Sequence, residues 1–414
     1  MGLPWQRFSR HFRVLVMRLL RLSLQNFRNY VRLDETLPPG TLLLVGGNAQ
    51  GKTSLLEAVY YLATFASFHS RHDRELVHFE AQRWGFPAVG RIVAEFQREG
   101  ETATHTLEVR LILEANGNGV RLRREVLLDG VKKKLSAALG VFNAVLFLPQ
   151  MTEMVTGAPE SRRRYLNMLL SQVRPGYAQA LSEYTQALTQ RNALLKMLAE
   201  QGGDWEQLGY WDARLAHRGA ELMAARARAL LALEREARQV HWRLTQNMEN
   251  LRLRYLPSYD PFGEGQLLQA TDNAALASFS VETLAKGLQE ALTRRRAEEI
   301  GRGMTTIGPH RDDFRFLDGR LDLGLYGSRG QIRTALLSLK MAEMAWMTKA
   351  TGRQPVLLLD EILAELDARR REDLQAYLAK AEQAILTTTD LALFKADFVA
   401  HSTVWRLEQG RLLL

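Results

Sequence analysis

Residues 46–53 read Gly46-Gly47-Asn48-Ala49-Gln50-Gly51-Lys52-Thr53, a G-x-x-x-x-G-K-[ST] string lying between an apolar run and a helical stretch. Backbone amides in such a loop curl round a phosphate, and the helix start behind them adds the positive end of its dipole. Lys52 would reach the β- and γ-phosphates of a nucleoside triphosphate, and the Thr53 hydroxyl would ligate Mg²⁺. Gly46, Asn48, Gln50, Gly51, Lys52, Thr53 and Ser54 are therefore the candidate nucleotide-binding residues. The plain alternative is a glycine-rich turn with a surface lysine. A chance match in a chain this long is roughly a one-in-a-hundred event, and the strand and helix flanks lower it further.

Val356-Leu357-Leu358-Leu359-Asp360-Glu361 is the natural companion. An apolar strand ending in a carboxylate puts Asp360 at the carboxyl edge of a parallel sheet, where nucleotides bind. Asp360 would hold the Mg²⁺ shell and Glu361 would polarise the attacking water, with Lys52 as the other catalytic residue. Alone, an aspartate after a strand caps the next helix about as often. A third string, Tyr326-Gly327-Ser328-Arg329-Gly330-Gln331, precedes a helix over Ile332 to Lys349. Ser328 and the glycines make an anion-ready helix start, or an ordinary serine cap. It lies 331 − 52 = 279 residues from the first. Two such starts with one triphosphate site suggest that the second serves another molecule.

The elements that must position these residues follow from periodicity. Leu19 to Leu24 partly alternates and reads as a strand, with Gln25 to Tyr30 a polar turn. Thr41 to Val45 is a short buried strand and Lys52 to Phe65 a helix. Ala88 to Phe96, Thr104 to Leu113 and Arg121 to Leu128 are further strands, and Val141 to Leu148 is an apolar run stopped by Pro149. From about Ala158 the period becomes helical: Tyr177, Leu181, Tyr184, Leu188, Leu195 and Leu198 form one stripe. After Gly202-Gly203 a second stripe runs to about Asn250, Pro257 to Asp272 reads as a loop, and Val281 to Ile300 is again helical. Strand signals return after Gly301. The expected organisation is a basic extension over 1–16 without the pattern of a secretory signal, an ATPase-type α/β unit over 17–157 and 301–414, and a helical arm over 158–300 whose two long helices pair antiparallel.

The 414 residues carry 55 Lys and Arg against 46 Asp and Glu, a surplus of +9 that suits a polyanionic partner without requiring one. The absence of cysteine excludes disulfides, thiolate metal sites and cysteine nucleophiles. No apolar run approaches the ~20 residues of a membrane helix, and a cytosolic location is the simplest reading.

The combination of Gly46 to Thr53, Ser328 to Gln331, and Asp360-Glu361 followed by Glu365-Leu366-Asp367 resembles the ATP-binding-cassette heads of SMC-like ATPases. Within that group, several strings are similar to the RecF family. They include Gln25-Asn26-Phe27-Arg28-Asn29-Tyr30, Phe147-Leu148-Pro149-Gln150 leading to Ser161-Arg162-Arg163-Arg164, and Arg191-Asn192-Ala193-Leu194-Leu195. Ile307-Gly308-Pro309-His310-Arg311-Asp312-Asp313 and Gly330-Gln331-Ile332-Arg333-Thr334 complete the set, which runs in order from about residue 17 to the end.

The resemblance implies an α/β fold, an ABC-type P-loop ATPase head with an inserted, mainly helical arm. It implies ATP and Mg²⁺ as cofactors, and an ATP-dependent homodimer in which Ser328, Gly330 and Gln331 of one subunit meet the γ-phosphate held by the other. Asp367 would couple the two sites, and Gln150 would lie in the Mg²⁺- and water-sensing loop, where the family more often has an acidic residue. After Ala384 to Leu386 the chain reads Thr387-Thr388-Thr389-Asp390, without the switch histidine of transporter cassettes, which fits slow hydrolysis; His310 is expected to be structural. The implied partners are double-stranded DNA and its junctions with single strands, RecR and RecO-type mediators and, through them, a recombinase. The implied setting is gap repair and the SOS response near the nucleoid.

Candidate DNA contacts are Ser70-Arg71-His72 with Arg74, Lys132-Lys133-Lys134, and Arg162-Arg163-Arg164, each of which is otherwise a solvated charge run. Nothing reads as a base-recognition motif, so backbone and junction shape would be recognised. Two other classes share the motifs: an ATPase subunit of a membrane transporter, and a non-enzymatic scaffold gated by ATP binding.

Overall fold

In the computed structural model, residues 15–70, 72–83, 85–98, 103–117, 119–262, 273–408 and 410–413 are described. A mainly parallel sheet of six strands among these residues has the order Arg411–Leu413, Thr403–Glu408, Gly40–Val45, Gln383–Thr388, Val356–Asp360 and Ala144–Phe147, with only the first pair antiparallel. Its central strands are apolar through their middles because both faces are covered. Leu42, Leu44, Leu358 and Ile385 enter one core, whereas Leu43, Leu357, Leu359 and Leu386 enter the core on the other face.

The first face packs on the P-loop helix Lys52–Thr64, beyond which lies an antiparallel sheet built round Leu15–Phe27, Ala88–Arg98, Thr104–Asn116 and Gly119–Leu128. Here burial alternates from Ala88 to Gln97 along Ala88–Arg98, as expected of a sheet with one face in the core. On the other face of the parallel sheet lies the helix Arg329–Thr351.

The strand Leu15–Phe27 begins two residues before the expected boundary, and residues 1–14 lie outside the described residues. It also runs through the first half of the expected polar turn. Gln25 pairs on one side with Arg32 and on the other with Arg91, so backbone bonding to two neighbours carries the strand past its polar side chains. Only Arg28 and Asn29 connect it to Tyr30–Thr36.

Helices Pro159–Val173, Tyr177–Gln201, Leu208–Leu244 and Val281–Arg302 make up most of the block between residues 158 and 302. The contacts Tyr177–Arg226, Glu183–Arg218 and Arg191–Asp212 pair ascending with descending numbers, so the two long helices run antiparallel. A buried ionic group joins the third helix to them: Arg191 meets Asp212 at 2.7 Å and Glu299 at 2.6 Å, and Arg296 meets Asp212 at 2.8 Å. One element in this block has no counterpart in the helical periodicity. Leu251–Leu256 is a strand, paired antiparallel with Asp313–Asp318. Its L-x-L-x-Y alternation is too short to outweigh the helical stretch before it, and its partner lies some sixty residues downstream.

Candidate nucleotide-binding site

The strand Gly40–Val45 delivers the chain to the glycine-rich loop, and the helix Lys52–Thr64 starts immediately after it. Gly51 sits at φ 104°, where an added Cβ would lie 2.5 Å from Asn29 Nδ2, so no larger residue closes this turn. The Tyr30 hydroxyl donates to the Gly51 carbonyl at 3.0 Å and holds the loop from below.

Lys52 is only 4% exposed, and its ammonium donates to the carbonyls of Gly46 at 2.6 Å and Gly47 at 2.9 Å. It also meets Glu361 Oε1 at 3.0 Å. Thr53 Oγ1 donates to the Asp360 carboxylate, 2.9 Å from Oδ1 and 3.1 Å from Oδ2. Asp360 therefore faces the loop and does not serve as a helix cap. Glu361 follows at φ 48°, a left-handed conformation that is uncommon for a non-glycine residue and is held by the surrounding structure.

An open cavity of about 480 Å³ lies over these groups. Its walls are Gly47 to Ser54, Asp360, Glu361 and Gln150, together with Asn29, His69 and Pro149. The volume suits a nucleotide-sized ligand. For Mg²⁺ the fit is good. The Thr53 hydroxyl and Asp360 carboxylate are hard oxygen donors in contact, and Gln150 lines the same cavity. Among the described residues no cluster of three acidic or histidine side chains forms a self-contained metal cage. Mg²⁺ commonly uses one or two carboxylates plus substrate phosphates, so such a cage is not required.

Ser328, Gly330, Gln331 and Asp367 are not among the described residues that line this cavity. Ser328 caps the helix Arg329–Thr351 in a reciprocal box: its hydroxyl accepts from the Gln331 amide at 3.2 Å, and the Gln331 side chain accepts from the Ser328 amide at 2.9 Å. Both Ser328 and Gly330 remain exposed. Asp367 caps the helix Ala368–Leu378, and the Arg370 amide, with its guanidinium, holds the Asp367 carboxyl below the usual carboxylate range.

Asn29, His69 and Thr387 were not among the expected site residues. Thr387 is the penultimate residue of the buried strand Gln383–Thr388; its hydroxyl donates to Asp360 Oδ1 at 2.7 Å and accepts from the Glu361 amide at 3.0 Å. Its position at the carboxyl end of a central strand was the available signal. Asn29 lies inside a string that reads as a polar turn and a family resemblance, neither of which marks a cavity wall, and nothing local marks His69. His310 is structural, as expected: Nδ1 meets the Tyr184 hydroxyl at 2.6 Å, Nε2 meets the Thr305 carbonyl at 3.2 Å, and burial pushes its pKa down to about 4.

The basic candidates separate. Arg162 is 1% exposed and is bonded to Asp313 at 2.6 and 3.0 Å and to the carbonyls of Met154, Val155 and Gly157. The expectation that it contacts DNA is overturned, since its charge is consumed inside the protein. His72 and Arg74 line an open depression with Leu122 and Arg124, and Lys132 and Lys133 line an adjoining one that shares those two residues. Arg71 lies outside the described residues.

A G-x-x-x-x-G-K-T loop and a strand-end Asp-Glu pair, brought together at the carboxyl edge of a parallel sheet, define a P-loop nucleotide-binding protein. Residues 18–407 match the family model described as the RecF/RecN/SMC N terminal domain. The chain is 37% identical over 404 residues to the DNA replication and repair protein RecF of Herpetosiphon aurantiacus, covering 95% of this chain and 99% of that relative. It is 39% identical to the protein of the same name from Chloroflexus aggregans, covering 96% and 99%. A solved structure described as the recombination mediator protein RecF-ATPrS in the RecFOR pathway superposes with a TM-score of 0.81 at 28% identity, over 96% of this chain and 98% of the other. The chain belongs to the RecF family of SMC-like ATPases, and its fold is the expected α/β, ABC-type head carrying a helical insertion.

Proposed function

We propose that this chain is an ATP- and Mg²⁺-dependent DNA clamp acting in replication and recombinational repair. The observation that carries the reading is the convergence of Lys52, Thr53, Asp360 and Glu361 on one nucleotide-sized cavity. ATP would bind with its phosphates in the glycine-rich loop and compete with Glu361 for Lys52. Mg²⁺ would be held by Thr53 and Asp360, with Gln150 nearby, and would supply charge neutralisation at the phosphates. Glu361, freed from Lys52, would polarise the attacking water, so hydrolysis is slow until the pair parts.

The exposed Ser328–Gln331 helix start, remote from this chain's own cavity, suits a γ-phosphate held by a second copy. Dimerisation would then require ATP, with Asp367 near the junction of the two sites. Residues 17–157 and 301–414 would form the head and 158–300 the arm. The adjoining depressions, where His72, Arg74, Lys132 and Lys133 outnumber Asp73 and Glu125 and Arg124 is paired with Asp73, suit the backbone of duplex DNA and of single-strand gap junctions. RecR and RecO-type mediators would act with the dimer to place a recombinase at gaps and to support the SOS response. Among the described residues no helix is long and apolar enough to cross a membrane, and a cytoplasmic, nucleoid-associated location fits this role.

The test is light scattering of the protein with and without ATP and Mg²⁺, together with ATPase rates at several protein concentrations and with duplex DNA. The expected result is an ATP-dependent doubling of mass, a rate per protomer that rises with concentration and DNA, and a trapped dimer for Glu361→Gln. A monomeric mass at saturating ATP, with a rate indifferent to both, would overturn the reading.

A further inference from the structure

Glu57 is 1% exposed, on the inward face of the P-loop helix, and lines no part of the cavity. A carboxylate so deeply buried is costly unless its charge is paired and its oxygens are hydrogen-bonded. Its partners belong to two separate segments. Arg28, in the turn between the first two strands, grips it bidentately, Nε to Oε2 at 2.6 Å and Nη2 to Oε1 at 2.9 Å. Ser67, in the segment after the P-loop helix, donates to Oε1 at 2.5 Å.

The network closes on itself. Arg28 Nη2 also donates to Ser70 Oγ at 2.7 Å, and Ser67 Oγ accepts from the amides of His69 at 3.0 Å and Ser70 at 2.7 Å. The Arg28 amide donates to the Leu76 carbonyl at 2.7 Å, tying the turn to the far end of the same segment. The residue next to Arg28 is Asn29, and His69 is one of the two residues between Ser67 and Ser70. These two side chains are cavity walls drawn from outside the P-loop, the Asp360–Glu361 strand end and the Pro149–Gln150 segment.

We infer that Glu57 is a positioning residue that clamps Asn29 and His69 against the nucleotide, fixing two walls of the cavity from beneath the P-loop helix. The inference rests on the reading that an adenine nucleotide occupies this cavity. The arrangement has the logic of a clip: one buried carboxylate, on the helix that itself begins at the phosphates, sets the distance of both flanking loops. The uncharged amide of Glu57→Gln keeps the shape but cannot accept both guanidinium bonds and the Ser67 hydroxyl, so both walls loosen together. Asn29 and His69 reach the ligand, whereas Glu57 acts only through them.

The test uses the full-length chain and a fluorescent ATP analogue with Mg²⁺, titrated against wild type, Glu57→Gln, Asn29→Ala/His69→Ala and the triple variant. Glu57→Gln is expected to weaken binding about tenfold, the loss equivalent to one hydrogen bond to a charged group. The triple variant should bind no more weakly than Asn29→Ala/His69→Ala, because Glu57 has nothing left to position. Additive losses, or wild-type affinity in Glu57→Gln, overturn the inference. Ser67→Ala, which removes the hub hydroxyl and leaves the ion pair, provides the same comparison should Glu57→Gln not fold. Failure of the wild-type protein itself to bind the analogue would instead refute the assignment of the cavity to ATP.

Discussion

Removing Arg162 should unfold the protein more readily and leave its affinity for DNA largely unchanged. Arg162 is 1% exposed and Asp313 12% exposed, with their groups 2.6 and 3.0 Å apart. Deleting one partner of a buried pair typically costs about 3–5 kcal/mol, because the other charge is stranded. Two features of the site pull in opposite directions. Arg315 Nε lies 3.0 Å from Asp313 Oδ2 and would keep part of that charge compensated. Against this, the carbonyls of Gly157, Met154 and Val155 would lose their donor. We therefore expect about 4 kcal/mol for Arg162→Ala, a large share of the roughly 5–15 kcal/mol that stabilises a folded domain.

Urea unfolding followed by circular dichroism measures the first quantity, with Asp313→Asn and the double variant completing a cycle whose coupling should exceed about 1.5 kcal/mol. Fluorescence anisotropy with a labelled duplex, at a temperature where every variant is folded, measures the second. Arg74→Ala is the opposite case: an exposed arginine bordering the basic depression. It should change stability by less than about 0.5 kcal/mol while weakening DNA binding and lowering its salt slope by about one. If Arg162→Ala lost DNA affinity with an unchanged urea midpoint, the guanidinium would be a DNA contact and the burial argument would fail.

Further outcomes follow from the site. Ser328→Arg places bulk on the exposed helix start; light scattering should show that ATP no longer doubles the mass, while binding of an ATP analogue by the monomer is retained. Normal dimerisation of that variant would remove Ser328 from the interface. Thr387→Val deletes the hydroxyl that bridges Asp360 and the Glu361 amide, and steady-state assays should show kcat reduced about tenfold with a smaller change in KM; an unchanged kcat would make the bridge irrelevant. His310 has its pKa lowered from 6.5 to about 4, so the unfolded chain binds the extra proton first. Its contribution is complete above pH 6.5 and is lost as the pH falls toward 4, up to roughly 3 kcal/mol, and His310→Gln should flatten the stability profile in that window. An identical profile in the variant would assign the acid sensitivity to other groups.

The linear order of residues was enough to locate the glycine-rich loop, the strand-end carboxylates and the serine-capped helix, because each depends on neighbours a few positions away. A loop that curls round phosphate needs its glycines at fixed spacing, and a strand buried on both faces is apolar through its middle. The same local logic revealed the helical block and the antiparallel pairing of its long members. The family strings also lay open in the chain, and these carried the fold and the kinship that the comparisons bear out.

Tertiary structure decided what each charge was for. Arg162 lies in a run of three arginines, yet it ends inside the protein because Asp313, about 150 residues downstream, folds against it. Strand Leu251–Leu256 exists because Asp313–Asp318 offers it an edge, and a six-residue alternation is too short to declare itself without that partner. Asn29 and His69 reach the cavity, and Thr387 reaches Asp360 beneath it, only when distant segments close round one helix. Composition and periodicity register which side chains are present and how they repeat. Which of them meet is fixed by packing and by the pairing of buried polar groups, and those depend on partners far away in the chain.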